Sequence, residues 1–102
     1  MYPANHHIIR PATERDDITI ESLSALDSQR PIAYPALIGE VGGRAVAAIS
    51  LADGRVVADP FVHTAQLVAV MRVRAGALRA HAEQPSLRER IRAGLRPAAQ
   101  AA

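Results

Sequence analysis

A two-glycine step, Gly42-Gly43, stands between two runs that read as strands, residues 36–41 and 45–51. Two adjacent residues able to take positive φ are what a type I′ hairpin needs, a turn whose twist matches the twist of the strands it joins. Gly43 is therefore expected at positive φ, with a bulky replacement there destabilising. Asp53-Gly54 repeats the device and leads into Val56, Val57 and Ala58. The middle of the chain is thus read as a three-stranded antiparallel meander, and the rest of the fold has to cover it.

On the N-terminal side, residues 6–11 read as a short first strand carried by Ile8 and Ile9 and ended by Pro11. Thr13 and Asp16 have capping-box spacing, and Glu14, Asp16 and Asp17 place negative charge where a first helical turn favours it. Ile20, Leu23 and Leu26 give that helix an apolar face, and Arg30-Pro31 predicts its end near Gln29, since the residue before proline avoids helical dihedrals. Residues 31–35 are a connector. On the C-terminal side, Asp59 is read as the N-cap and Pro60 as the first residue of a long helix running through His81, with Thr64 as a competing cap. Leu67, Met71, Ala75 and Leu78 form one stripe on it, and Val70, Val73 and Ala77 another flank. A helix apolar over so much of its circumference is covered on more than one side. Ser86 is suited to cap a short third helix over residues 87–92, with Leu87, Ile91 and Leu95 in register. The expected class is α+β: a short strand, a helix, the meander, a long helix and a short third helix. Residues 1–95 form one domain, and nothing in residues 96–102 gives that tail a reason to be ordered.

The 102 residues suffice for a single core. The chain has no cysteine, which excludes disulfides and thiolate metal sites, and a cytoplasmic setting is the default reading. No stretch approaches the ~18 apolar residues of a membrane span, so a soluble protein with no membrane partner is expected. All 12 basic residues are arginine. Up to Met71 there are 5 arginines against 8 acids, and from Arg72 onward 7 against 2, so the two parts carry −3 and +5.

The order of strand, acidic-capped helix and meander resembles the opening of the GNAT superfamily of N-acetyltransferases. The resemblance rests on Ile9-Arg10-Pro11-Ala12-Thr13 followed by Asp16-Asp17, on Leu26-Asp27, on the hairpin Gly39-Glu40-Val41-Gly42-Gly43-Arg44, and on Ala47-Ala48-Ile49-Ser50-Leu51. It spans residues 8–60. In that family the fourth strand runs into a glycine-bearing loop, Arg/Gln-x-x-Gly-x-Gly/Ala, that holds the acetyl-CoA pyrophosphate. The corresponding stretch here, Asp59-Pro60-Phe61-Val62-His63-Thr64-Ala65-Gln66, has no glycine. Pro60 removes an N–H donor and Asp59 sets a carboxylate where phosphate would sit. No catalytic residue of the family carries over, and no cofactor is expected.

Single residues add little chemistry. His6 and His7 are adjacent on a strand and point to opposite faces, which disfavours a shared metal ion. His63 near Asp59 has the makings of a carboxylate–histidine pair, but without a nucleophile it reads as structural capping. Arg72, Arg74, Arg79, Arg88, Arg90, Arg92 and Arg96 suggest phosphate contacts, against which stand an aromatic content of 3% and the interleaved Glu83 and Glu89. The sequence reading is a non-catalytic GNAT-like binding or assembly module, with no catalytic, cofactor or metal residues. It associates with another protein chain, most simply as a two-fold homodimer through Val70, Val73 and Ala77, with Leu67, Met71 and Leu78 on the sheet. A reduced acyl-CoA-dependent N-acyltransferase and an arginine-mediated nucleic-acid binder are the alternatives.

Overall fold

A computed structural model describes residues 6–83. The expected third helix, residues 87–92, the tail, and Arg88, Arg90, Arg92 and Arg96 lie outside the described residues. The elements are β1 (His7–Pro11), a 3-10 turn (Glu14–Asp16), α1 (Asp17–Leu26), β2 (Ala36–Val41), β3 (Arg44–Ser50), β4 (Val56–Ala58) and α2 (Ala65–Glu83). The strands form one antiparallel sheet in the order β1-β2-β3-β4. The meander is there, with Gly42 at φ 58° and Gly43 at φ 83° in its first turn and Gly54 at φ 78° in its second. The first strand joins it as a fourth member.

Both faces of the sheet are covered, by different helices. Alternation along a strand sends successive side chains to opposite faces. Ala36, Ile38, Ala48 and Val57 meet Ile20 and Leu23 of α1, whereas Leu37, Ala47 and Ile49 meet Leu67, Met71 and Ala75 of α2. A bulge makes the assignment work. Gly39 pairs with Ala47 but Glu40 pairs with Ala45, so Val46 is an extra residue on β3. Val46 and Ala47 therefore both pack toward α2 while Ala45 lies against the α1 side.

Several expectations need correcting at element ends. α1 stops at Leu26, not near Gln29. Ser28 takes the left-handed conformation at φ 53°, its N–H bonds Ala25 O at 3.1 Å, and Gln29 N–H bonds Ser24 O at 2.8 Å. That is a Schellman ending built on serine instead of glycine, so the usual punctuation is absent from the sequence. Leu26 is 43% exposed, and the buried positions of α1 are Ile20, Leu23 and Ser24, whose hydroxyl donates to Ile20 O at 2.6 Å. At the other end, Asp59-Pro60 does not open α2. The helix begins at Ala65 directly after Thr64, the competing cap, whose carbonyl accepts the Val68 N–H at 2.8 Å. Leu78 is 43% exposed and does not belong to the core. The buried stripe is Leu67, Met71 and Ala75 at strict i, i+4 spacing, because α2 runs on past the end of the narrow sheet beneath it.

Candidate functional site

Polar side chains tie α1 and its flanks to the sheet and to the connector before β2. On the α1 face, Arg10 from β1 donates Nη1 and Nη2 to both carboxylate oxygens of buried Asp16, at 2.9 and 2.8 Å, and Nε to Glu40 at 2.9 Å. Asp16 also accepts the Thr13 N–H at 2.7 Å, the backward half of a capping box. With a guanidinium and a backbone donor on it, the Asp16 carboxyl is held well below the usual carboxylate range, Arg10 making the larger contribution. Tyr34 donates its hydroxyl to Asp17 at 2.7 Å and to Thr13 O at 3.0 Å. Desolvation, and then that bond to Asp17, push its phenol up to about 12. Arg10 and Asp16 are satisfied within the chain and build the fold, whereas Asp17 stays exposed with the Tyr34 hydroxyl on it.

The β4 edge is closed by the turn that ends α1. Arg55 O and Asp59 N–H point inward to β3, bonding Ser50 N–H and Val46 O at 2.8 Å each, so Val56 and Ala58 direct their backbone groups outward. The Asp27 carboxylate accepts the Ala58 N–H at 3.0 Å, and the Gln29 amide donates to Val56 O at 3.2 Å and to Asp27 at 2.8 Å. Asp27 and Gln29 thus stand in for a neighbouring strand. The β4 groups that would recruit another strand are thus met from within the chain.

Between this plug and the start of α2 lies an open cleft of about 470 Å³, lined by Asp27, Ala58, Asp59, Pro60, His63 and Val68 among others. Its chemistry is wrong for an anion. Asp59 is only 3% exposed, and its Oδ1 accepts the Phe61 N–H at 2.9 Å while its carbonyl accepts the Val62 N–H at 3.3 Å. Two backbone donors that could face a ligand are therefore turned inward, and Pro60 has none. The other oxygen of Asp59 lies 3.6 Å from Arg44 Nη2. His63 shares the cleft wall with Asp59 and is not hydrogen-bonded to it. Among the described residues no group of three or more His, Asp or Glu side chains is placed to hold a metal ion, and no helix is long and apolar enough to cross a membrane.

The remaining candidate is the outer surface of α2. Val70 is 51% and Val73 75% exposed, and Ala77 is exposed beside them. Helical spacing sets these three on one flank, away from Leu67, Met71 and Ala75. Two exposed apolar residues escaped the sequence reading: Phe61 at 84%, in the loop before α2, and Ile18 at 76%, on the outer surface of α1. Ile18 was legible in principle, since it falls outside the Ile20–Leu23 spacing of its own helix. No protein family, curated protein or solved structure matches this chain.

Proposed function

We propose that this chain is a non-catalytic, GNAT-like module that works by protein–protein contact, and that the contact it makes is with further copies of itself. The observation that carries this reading is the outer surface of α2, where Val70, Val73 and Ala77 lie in solvent on a helix whose opposite stripe is committed to the sheet. Covering both valines contributes on the order of 1 to 2 kcal/mol each before association entropy is subtracted. The cleft beside β4 supports the non-catalytic half of the reading, with a buried carboxylate and inward-turned N–H groups where an acyl-CoA-dependent enzyme needs donors.

The test is sedimentation at high micromolar concentration. The unmodified chain should associate, and the double variant Val70→Glu with Val73→Glu should be monomeric with little change in its unfolding midpoint, because both positions face water in the single copy. A monomeric unmodified chain removes the self-association reading. Micromolar binding of acetyl-CoA by titration calorimetry removes the non-catalytic one and moves the acyltransferase alternative ahead.

A further inference from the structure

The self-association proposed above has two possible geometries, and charge separates them. Residues 65–82 of α2 hold no carboxylate; Arg74 borders the Val70–Ala77 flank, and Arg72 and Arg79 lie on the side of the helix nearer Gly54. A two-fold pairing of α2 with α2 about Val73 brings two such stretches together and sets Arg74 beside its own symmetry mate, and like charges facing each other across a contact oppose it. The outer surface of α1 has the opposite character. Glu14, Asp17 and Glu21 are exposed there around Ile18, which is 76% exposed, with Ala25 two turns further on and Arg15 as the single opposing charge. At about 1.5 Å per residue, Asp17 to Ala25 spans ~12 Å and Val70 to Ala77 spans ~10 Å, so the stripes match in length.

These two stripes cannot meet within one molecule. α1 covers one face of the sheet and α2 the other, so the acidic stripe and the basic one look outward from opposite sides. We infer that the α2 surface of one copy docks on the α1 surface of the next, Val70 and Val73 against Ile18, with Arg74 toward Asp17 and Glu21. Such a contact is heterologous: each copy keeps one unused surface of each kind, and the assembly grows into a ring or an open chain of copies instead of stopping at two. A contact between two helices of this length is smaller than the ~1,600 Å² of a standard interface, so each step is weak and reversible.

The experiment mixes two variants of the full chain, each broken on one surface. Val73→Glu disables the α2 surface, and Ile18→Arg with Glu21→Arg disables the α1 surface; all three positions are exposed, and unchanged far-ultraviolet circular dichroism verifies folding. In analytical ultracentrifugation the unmodified chain should grow past the dimer as concentration rises. Its association should weaken on the order of tenfold between low and high salt, because opposite charges attract across the contact. Each variant alone should be monomeric, and an equimolar mixture should form a dimer and nothing larger. An Ile18→Arg, Glu21→Arg variant that still dimerises by itself, or association that strengthens with salt, overturns this inference and leaves an α2–α2 dimer standing. A mixture that stays monomeric while the unmodified chain associates also overturns it. An unmodified chain that is monomeric throughout overturns the self-association reading beneath it.

Discussion

Under α1 the sheet meets only two large helical side chains, Ile20 and Leu23, and the attachment is completed by polar hooks: Arg10 to Asp16, Asp27 and Gln29 to the β4 edge, Tyr34 to Asp17. Under α2 the proportions are reversed. Leu67, Met71 and Ala75 lie directly on β2 and β3, and the one polar tie from α2 to the sheet among the described residues is a long one, Arg74 to Ile9 O at 3.5 Å. Hydrogen bonds fix direction and register but contribute little net energy each, whereas close packing contributes more and tolerates less change in shape. The short helix is therefore positioned by its ends and the long one by its contact line.

The packing under α2 is most sensitive to change at Gly39. A Cβ there would lie 2.5 Å from Met71 Sδ and 3.0 Å from Leu67 Cδ2, so the absence of a side chain on β2 is what lets α2 approach. Gly39→Val should cost about 3 kcal/mol, seen as a lower urea midpoint, with α2 losing amide-exchange protection before α1 does. Equal loss of protection in both helices would mean that the two sides of the sheet are not separable.

On the α1 side the largest effect belongs to Asp16. Asp16→Ala leaves Arg10 without its bidentate partner and the Thr13 N–H without an acceptor, and should cost about 2 kcal/mol, less than for a fully buried pair because Arg10 reaches solvent. The sign of the pH dependence follows from the depressed carboxyl. Its folded pKa lies below the unfolded value, so the stabilisation is complete above about pH 4 and is lost as the pH falls through the acid range. Urea midpoints from neutral pH downward should decline in the unmodified chain and decline less in Asp16→Asn.

The smallest of the three effects is expected at Asp27. Asp27→Ala removes the acceptor for the Ala58 N–H on an edge that water can reach, and should cost about 1 kcal/mol. The sharper readout is hydrogen exchange at Ala58, which should accelerate while exchange at Val57, bonded into the sheet on its other side, holds. If the two amides respond alike, Asp27 supports the whole strand and is not an edge plug.

The residues that specify their own backbone were legible from the chain. Gly42-Gly43 and Asp53-Gly54 placed the turns, the β-branched and apolar runs placed the strands, and Thr13 with Asp16 placed the start of the first helical segment. These signals are local: a glycine at positive φ or a capping spacing has the same meaning wherever the segment ends up. Where a residue's role depended on a distant partner, the same reasoning failed. Asp59 looks like an N-cap, yet Arg44 and the bulge at Val46 hold it in a buried turn, and the helix waits until Thr64. Leu78 has the spacing of a core residue but falls beyond the sheet it would have packed on.

The candidate surfaces divide along the same line. Helical periodicity alone put Val70, Val73 and Ala77 on a common flank, and the change from −3 to +5 along the chain is visible in its charges. That the acidic and basic stripes lie on opposite faces of one sheet, and that Asp27 and Gln29 close the edge the meander leaves behind, was decided only by tertiary structure. Periodicity gives each helix a side that must be buried, but which face of the sheet receives it depends on where strand register and the bulge send the sheet's own side chains.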